Sequence, residues 1–522
     1  MDERKDLGKF LESVVNVFDS QHGLCDEKLL EESMAFCLEY YNCFICKNER
    51  FYRDLLEIMG GDEVLYCMIL STLYALTNDA KAIISIEDVL ANKNVDAFWA
   101  DNILAQISYI RFVNNIPASY KKSRLINQRL LHNYLNNYPV TYSYIPYEDR
   151  NTKRIIVETN TLLGPNHAPT YIVLELCKSL QMDYGYEIFL VVNRVESMKE
   201  GAEQYWYEQI QFNYNSDMEN EFLLEYEGAK IRGFQFEWNK ECLPSRNAVL
   251  DLVDRWKPLC VFHVGAYSYR HDIYKEQTTL ISMPCNAGFI VSEAQALFSY
   301  MNDNSEYMKE AVKYIQEQGQ FMKSVDNFGN PKVEIKNQYT KTDFGLPEDA
   351  FAACIVGNRL NEEMSDEFIH MLESIGKDKK ELYLAIIGEC RKDFFSSEFA
   401  DRVVYLGYQS NLPDVLNVMD LFVNPIRKGG GGGANFSLQV GVPVITVRDC
   451  DVHSVVGEAF GCDSLKTMKN DIVRYIEDKD FYDAQVQKSK QWSEKRNSVN
   501  RGEIFYQLIQ DVEKQLKEGR IK

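Results

Sequence analysis

The chain has 522 residues, and its 57 lysines and arginines against 78 aspartates and glutamates give a net charge of −21. A surface that acidic repels phosphate backbones and anionic lipids, which argues against binding of nucleic acid or of a membrane surface as the main activity. The length corresponds to about two to four domains, and a hydrophobic content of 45% is enough to fill their cores.

No stretch reaches about 18 consecutive apolar residues, the length that a membrane-spanning helix needs. The first residues, Met1 to Lys5, carry mixed charge and lack the apolar segment of a secretory signal. Thirteen cysteines are scattered without the spacing of a disulfide framework. Cys43 and Cys46 form a CxxC around two apolar residues, so we expect core cysteines in preference to a metal or redox site. Together these features predict a cytoplasmic protein.

Residues 1–145 predict consecutive helices, because apolar residues recur at helical spacing and no strand–turn–strand pattern interrupts them. Representative positions are Leu29, Met34, Cys37, Leu55, Met59, Leu70, Leu73, Leu104, Ile107 and Ile110. The end of this region, 136–150, contains Pro139 and Pro146 and is typical of a linker. We expect an all-helical domain without chemistry of its own, available as a contact region for a protein partner.

Residues 150–340 change to the pattern of a parallel α/β domain. A β-rich run at 154–158, a turn at Gly164 and Pro165, a helix at 171–180 and a buried strand at 187–192 form a βαβ unit. Further strands are predicted at 259–264 and 279–283. This order predicts a doubly wound, Rossmann-like sheet.

A second βα series occupies residues 341–500, and the end of the chain, 501–522, belongs to a charged amphipathic helix that begins near Gln491. The predicted strands of this series are 353–356, 382–387, 403–406, 421–423 and 443–447, with helices at 365–375 and 412–419. Two successive Rossmann-like domains predict a ligand cleft between the carboxyl edges of their sheets.

A run of five glycines, Gly429–Gly433, follows the predicted strand at 421–423 and precedes a short helix. Glycine lets a backbone approach a ligand closely, and successive N–H groups at a helix N-terminus attract anions. Arg427 and Lys428 add two positive charges directly before the run. The pattern predicts a diphosphate site in preference to a plain surface turn. It is not a Walker motif, because no Gly-Lys-Ser/Thr follows.

Four segments resemble the donor side of GT-B glycosyltransferases, and within them the bacterial adhesin N-glycosyltransferases, relatives of the O-linked N-acetylglucosamine transferases. These segments are 420–444 with its "DLFVNP" and "GVPV" elements, 356–361, 386–389 and 448–453. The resemblance extends over about 350–465 and is architectural over 1–345. It implies a GT-B fold, in which two Rossmann-like domains face each other across a cleft, preceded here by the all-helical domain.

The resemblance also implies roles for single residues. Arg359 occupies the position of a basic residue that contacts the donor diphosphate, Glu389 lies near the nucleotide, and His453 faces the donor. The implied donor-binding residues are Arg359, Glu389, Arg427, Lys428, Gly430, Gly431, Gly432, Gly433, Ala434, Asn435 and His453.

The same comparison indicates the stereochemistry and the metal requirement. Retaining enzymes of this fold usually carry two glutamates around the glycine loop, whereas this chain has Lys428 and Phe436, which favours inversion. Phe436 also stands where the adhesin enzymes place an aspartate that holds the ribose. Asp449 and Asp451 have the spacing of a metal-binding Asp-x-Asp pair. We interpret them as surface or ribose contacts, because GT-B donors are generally bound without a metal.

Two histidines are candidates for the catalytic base. His263 lies at the carboxyl end of a predicted strand, and imidazole titrates in the range that a base for the acceptor nucleophile needs. His167 follows the first strand of the first Rossmann-like domain, in a loop that lines the acceptor side of GT-B enzymes. A buried core histidine and a solvated loop histidine are the competing interpretations. His271 and Asp272 form a further candidate pair of base and orienting carboxylate.

We therefore expect a metal-independent, inverting glycosyltransferase without a resident cofactor, whose donor is a nucleotide sugar, UDP-linked, carrying a hexose or N-acetylhexosamine. A protein acceptor is the first choice, and a polysaccharide or lipid-linked glycan is the second. Two further alternatives are a catalytically degenerate GT-B subunit of a glycosylation or secretion complex, and a UDP-sugar epimerase of the same architecture.

Overall fold

The computed structural model describes residues 3–20, 26–48, 50–93, 95–114, 116–160, 162–163, 167–193, 206, 218, 220–236, 243–265, 268–285, 291–299, 306–325, 327–329, 333–448 and 450–521. The predicted turn at Gly164 and Pro165 lies outside these residues, as does Asp449. The chain divides into two compact units. The first comprises Met1–Ser299, Asn304–Ser324 and Tyr506–Lys522, and the second comprises Tyr300–Asp303 and Val325–Phe505.

The first unit begins with the helical region that the sequence predicts. Its helices are α1 (Glu3–Ser20), α2 (Glu27–Tyr40), α3 (Phe51–Ile58), α4 (Glu63–Thr77), α5 (Ala80–Asn92), α6 (Ala97–Asn114) and α7 (Tyr120–Asn137). Asp26, Asp62 and Asp79 cap α2, α4 and α5 by accepting a backbone N–H of the first turn. The core between these helices is rich in aromatic residues and includes Phe10 and Tyr40, whose rings stack.

The prediction of core cysteines at the CxxC is wrong. A π-helical turn at Tyr41–Ile45 carries Cys43, and both Cys43 and Cys46 are exposed. The inward positions are taken instead by Tyr40 and Ile45, because the wider turn changes which residues face the core.

An eight-stranded sheet follows in the described part of the first unit, in the order β3-β4-β2-β1-β5-β6-β7-β8. Its strands are β1 (Asn151–Thr159), β2 (Glu187–Val192), β3 (Asn220–Tyr226), β4 (Ala229–Gln235), β5 (Pro258–Gly265), β6 (Leu280–Pro284), β7 (Ala296–Ser299) and β8 (Phe321–Ser324). All neighbouring strands run parallel except β3, which pairs antiparallel with β4.

The helices of this α/β part are α8 (Ala168–Met182), α9 (Leu243–Trp256), α10 (Tyr269–Asp272) and α11 (Glu306–Glu317). The last helix of the chain, α20 (Arg501–Lys517), groups with the first unit from Tyr506 onward. Tyr506 stacks on Tyr184, and Glu513 accepts a hydrogen bond from Tyr147. This end of the chain is therefore packed and is not a solvated tail.

The second unit contains a six-stranded sheet among its described residues, in the order β11-β10-β9-β12-β13-β14, and every described pair is parallel. Its strands are β9 (Phe351–Val356), β10 (Leu382–Ile387), β11 (Val403–Gly407), β12 (Leu421–Val423), β13 (Val444–Val447) and β14 (Gly461–Cys462). Its helices are α12 (Leu360–Glu363), α13 (Asp366–Asp378), α14 (Ser397–Ala400), α15 (Leu412–Leu416), α16 (Gly431–Gln439), α17 (Asp451–Val456), α18 (Leu465–Glu477) and α19 (Lys479–Asn497).

Both faces of this second sheet are buried, because successive residues of β9 enter two different cores. Ala353 and Ile355 pack in the cluster that contains α13 and α18, while Ala352 and Cys354 pack in the cluster that contains α15 and α16. Helices on both faces of a parallel sheet define a doubly wound fold.

The predicted fold class is confirmed, with two Rossmann-like parallel-sheet units and a helical N-terminal region. The structure adds the β3–β4 hairpin and the short strands β7, β8 and β14, which the sequence analysis missed. No helix among the described residues is both long and apolar enough to cross a membrane.

Candidate functional site

The glycine run connects β12 to α16 in the second unit. Gly429 and Gly430 have φ values of +82° and +80°, in the left-handed region that favours glycine. Helix α16 begins at Gly431, so the last three glycines form its first turn. The first N–H groups of a helix have no acceptor within the helix, and no side chain caps α16. The loop therefore presents backbone donors at the positive end of a helix dipole.

Asp451, the first residue of α17, is in contact with this loop. Its Oδ2 accepts the N–H of Gly429 at 2.9 Å, and its Oδ1 lies 3.6 Å from Nζ of Lys428. The predicted cation Lys428 is thus paired within the protein, and Asp451 satisfies the amide that precedes the helix. The amides of the helix turn itself are not involved in this contact.

Arg427 is buried, and its guanidinium is engaged by protein acceptors. Nε donates to Oδ1 of Asn424 at 2.9 Å, and Nη2 donates to the carbonyl of Val356 at 2.7 Å. Nη1 donates to Oε2 of Glu363 at 2.7 Å. Since Val356 ends β9 and Asn424 follows β12, this one side chain joins two neighbouring strand ends.

Glu363 is a carboxylate that the sequence analysis did not single out. Besides Arg427, it accepts hydrogen bonds from Arg359, whose Nε and Nη2 lie 3.0 and 2.8 Å from Oε1. Arg359 also donates from Nη2 to the carbonyl of Lys428 at 3.0 Å. The three predicted cations of this site thus meet around two carboxylates. The i, i+4 spacing of Arg359 and Glu363 is the sequence pattern from which their ion pair could have been predicted.

The remaining predicted donor residues of the second unit lie in different surroundings. Ala434 and Asn435 are buried in α16, and Asn435 accepts a hydrogen bond from Gln439. Glu389 is exposed directly after β10, where Gly388 has a φ of +111°.

His453 lies on the side of α17 opposite to the glycine loop. Asp451 contacts Gly429, and the side chain of Val455 is the nearest neighbour of Gly431, so this face of α17 is turned toward the loop. His453 packs instead against Gly461, with Nε2 at 3.4 Å from Oε1 of Glu458. The structure therefore does not bring His453 together with the glycine loop.

In the first unit, His263 belongs to a buried cluster at the carboxyl end of the sheet. Its Nδ1 lies 2.5 Å from Oε2 of Glu158, and Nδ1 of His271 lies 2.9 Å from the same carboxylate. The two imidazole rings stack at 3.8 Å between centroids. Nε2 of His271 is 3.0 Å from Nδ2 of Asn160. Burial alone would raise the pKa of the Glu158 carboxyl, but His271 and His263 hold that pKa well below its usual range.

The suggested pairing of His271 with Asp272 is wrong. Asp272 accepts hydrogen bonds from Asn127 and Ser292, and the carboxylate that holds His271 is Glu158. Adjacent residues of one short helix point in different directions, whereas Glu158 reaches both histidines from a neighbouring strand.

Glu158, His263 and His271 are also the described residues whose geometry would suit a metal ion, with donor atoms within 4.8 Å of one another. The same atoms are joined by hydrogen bonds, since each Nδ1 is directed at the carboxylate. The cluster is satisfied in this form without an ion.

His167 stands apart from this cluster in its contacts. It is the N-cap residue of α8, and its Nδ1 lies 2.8 Å from Oγ1 of Thr170. Burial lowers the pKa of the His167 imidazole, which favours the neutral form.

Comparison with known proteins places a family match on the second unit. Residues 351–478 match the family described as glycosyl transferases group 1. The matched region contains the glycine loop, Arg359, Glu363 and Asp451. No curated protein matches the sequence significantly.

Solved structures are similar to the chain at low identity. An O-GlcNAc transferase variant from Thermobaculum terrenum has a TM-score of 0.49 and 12% identity, with 100% of this chain and 99% of that chain covered. HepE of Anabaena in complex with UDP has a TM-score of 0.44 and 11% identity, with 70% and 100% covered. A UDP-N-acetylglucosamine 2-epimerase homologue from Listeria monocytogenes has a TM-score of 0.43 and 11% identity, with 70% and 98% covered.

The family match extends over the whole second sheet. It begins at the first residue of β9 and ends after α18, so it includes all six strands of the second sheet. The specific group of adhesin N-glycosyltransferases stays a prediction. Residues 351–478 of the second unit thus match a glycosyltransferase family, which supports a transferase activity.

Proposed function

We propose that the protein is a glycosyltransferase that takes a hexose or N-acetylhexosamine from a UDP-linked sugar, whose diphosphate binds at the glycine loop. The observation that carries the proposal is the uncapped N-terminus of α16, formed by Gly431–Gly433 inside the region of the family match. Backbone amides at such a terminus bind phosphate oxygens without the help of a side chain.

The charges around the loop support the same proposal. Arg359, Arg427 and Lys428 carry three positive charges, and Glu363 and Asp451 carry two negative ones. The difference, 3 − 2 = +1, leaves a net positive charge beside the positive end of the α16 dipole. An anion is therefore attracted to this part of a protein whose net charge is −21.

In the proposed reaction, the donor loop acts on the leaving group. Negative charge develops on the nucleoside diphosphate as its bond to the sugar breaks, and fixed donors stabilise that charge without reorganising. The amides of Gly431–Gly433 and the guanidinium of Arg359 would supply these donors. A bound metal ion is then not required for charge neutralisation.

The base for the acceptor is proposed to be His263. With Nδ1–H donated to Glu158, the other ring nitrogen, Nε2, carries the lone pair that accepts a proton. Glu158 would orient the ring and stabilise the imidazolium, as the carboxylate does in a nucleophile–histidine–carboxylate triad. Attack by the acceptor on the face opposite to the leaving diphosphate inverts the anomeric centre.

A protein is the proposed acceptor, in keeping with the resemblance of the sequence to protein-modifying enzymes that also carry a helical N-terminal region. Helices α1–α7 offer a contact region for such a partner.

The first experiment is a thermal-shift and calorimetry panel of the purified full chain with UDP, CDP, GDP and ADP. A ligand that binds only the native state raises the melting temperature, so we expect a shift with UDP and a smaller one or none with the others. A chain that responds to none of the four contradicts the proposal.

The second experiment is transfer from radiolabelled UDP-glucose and UDP-N-acetylglucosamine to a protein mixture, a glycan mixture and water. We expect the label in the protein fraction. We also expect NMR of the product to show that the anomeric configuration of the transferred sugar is inverted relative to the donor. Label in glycan alone supports the second acceptor class, and an epimerised nucleotide sugar without transfer supports the epimerase alternative.

A further inference from the structure

The hydrogen-bond donors of the Arg427 guanidinium are directed at protein acceptors and not at a ligand. Its side chain is 3% exposed, and Nε, Nη1 and Nη2 each donate to a protein acceptor: Asn424, Glu363 and Val356. A residue that touches phosphate needs donors turned to the solvent side of the site. Arg427 instead connects the end of β9 to the segment that leads into the glycine loop.

Glu363 holds this guanidinium and a second one at the same time. Oε2 accepts from Arg427 and Oε1 accepts from Arg359, so each carboxylate oxygen serves one arginine. The Glu363 side chain is 9% exposed, whereas the Arg359 side chain is 34% exposed. The Glu363 carboxylate therefore pairs with one buried cation, Arg427, and with one partly exposed cation, Arg359.

Two glycines are fitted against the Arg427 guanidinium. A Cβ at Gly357 would lie 2.5 Å from Nη1, and a Cβ at Gly430 would lie 2.6 Å from Nε and Nη2. No real Cβ atom sits that close to a neighbouring group, so the lack of a side chain at both positions makes room for this arginine. The loop after β9 and the glycine loop are packed against one buried charge.

We propose that Glu363 is a positioning residue of the donor site. It fixes Arg427 as an internal link between the two loops, and it holds Arg359 in the direction of the donor diphosphate. This inference rests on the proposed function. It also runs against simple electrostatics, because a carboxylate near a diphosphate would by charge alone repel it.

The test is the sign of the change in UDP affinity, measured by calorimetry on four full-length proteins. Glu363→Gln removes the charge, and we expect UDP to bind at least tenfold more weakly. Glu363→Asp keeps the charge but shortens the side chain by one methylene, and we expect a loss of at least threefold. Glu362→Gln removes a charge from the adjacent, exposed residue, and we expect a change of less than twofold.

A second control separates positioning from general stability. Lys341 and Asp420 form an ion pair of 2.7 Å in the same unit, where Asp420 also accepts the backbone N–H of Ala352 near the start of β9. Lys341→Ala should lower the melting temperature and leave UDP affinity within twofold of wild type. In an Arg359→Ala background, Glu363→Gln should weaken UDP binding less than it does alone, because part of its effect passes through Arg359.

The outcomes are distinguishable. Equal or tighter UDP binding by Glu363→Gln overturns the proposal, as does an undiminished loss in the Arg359→Ala background. If Glu363→Gln does not fold, the UDP affinity of Glu363→Asp is compared with that of the wild type instead. A Glu363→Asp protein that binds UDP with wild-type affinity overturns the proposal. A wild-type protein that fails to bind UDP refutes the proposed function itself, independently of Glu363.

Discussion

Nδ1 of His263 lies 2.5 Å from Oε2 of Glu158, and the two residues are register partners on the parallel strands β1 and β5. Both side chains point to the same face of the sheet because paired residues of neighbouring strands share a face. The carboxylate also holds His271, so one buried negative charge orients two imidazoles. The hydrogen bonds to Glu158 therefore determine which ring nitrogen of each histidine is available for other contacts.

Glu158→Gln is expected to destabilise the first unit at neutral pH. Removing one partner of a buried, hydrogen-bonded charge cluster costs about 3 kcal/mol in the free energy of unfolding. Because the folded-state pKa of Glu158 is lowered, its contribution is present above the unfolded-state pKa of about 4.3 and is lost as pH falls through the folded value. The difference in free energy of unfolding between wild type and variant should shrink below about pH 4.3.

Denaturant unfolding followed by circular dichroism, at pH 7 and at pH 3.5, measures both quantities. Glu187→Gln is the matched control, because Glu187 pairs with Arg154 at the exposed end of the neighbouring strand β2. A difference that is the same at both pH values contradicts the lowered pKa of Glu158.

His263→Ala is expected to separate catalysis from donor binding. The proposed diphosphate contacts all come from the second unit, so UDP affinity should stay within about twofold of wild type. Loss of a general base lowers the turnover number by about 10²–10⁴-fold. Calorimetry with UDP and initial rates of transfer on the same preparation check the prediction. A variant with normal turnover would assign the base to another residue, and His167→Ala would then be tested next.

Arg359→Ala should weaken UDP binding while the fold survives. A charge-assisted contact to phosphate is worth about 1.5 kcal/mol at a position this exposed, which is about a tenfold change in the dissociation constant. The melting temperature should change little, since the side chain is 34% exposed. Unchanged UDP affinity by calorimetry would remove Arg359 from the donor site.

Gly432→Val tests the backbone amides of α16. A Cβ at Gly432 meets nothing within 4 Å and the residue has no positive φ, so the fold should tolerate the change. The added branched side chain would stand beside the first-turn amides, and we expect UDP binding to be nearly abolished. At Gly431 a Cβ would lie 2.8 Å from Val455, so Gly431→Val should lose stability as well. A Gly432→Val protein that binds UDP normally refutes the amide site.

Removal of divalent metal is expected to leave donor binding and transfer intact. The proposed charge neutralisation uses amides and cations, and Asp451 is already engaged by Gly429 and Lys428. Transfer rates and UDP affinity are measured before and after dialysis against EDTA. Activity that is abolished by the chelator and restored by manganese contradicts the prediction, and Asp451→Asn would then be the first variant to examine.

Strong hydrophobic patterns allowed the sequence to predict most of the sheet framework. The predicted runs at 187–192, 382–387 and 421–423 have the same bounds as β2, β10 and β12, because buried parallel strands are short and almost continuously apolar. Strand β3 was missed for the opposite reason. Its side chains alternate between exposed and partly buried, and the exposed ones include Glu221 and Glu225.

The chemistry of the candidate sites was harder to predict than the sheets. The glycine run and Arg359 can be recognised as local sequence patterns. The roles of Glu363 and Glu158 depend on partners that are distant in the sequence. Glu363 meets Arg427 across 64 positions, and Glu158 meets His263 across 105. Such pairs depend on strand register, which a single sequence does not specify. The exposure of Cys43, in the π-helical turn, and of Cys46, directly after it, was missed because the prediction assumed regular α-helical spacing.

The fit of Gly357 against the guanidinium of Arg427 has a consequence for how this protein tolerates change. A methyl group at position 357 and the guanidinium of Arg427 compete for the same space, so a side chain at 357 requires the arginine to move or to be replaced. In a library that randomises both, we expect side chains at 357 to survive selection mainly where 427 has become smaller, a case of strong pairwise epistasis. The buried guanidinium of Arg427 would then limit which substitutions the loop after β9 can accept during evolution.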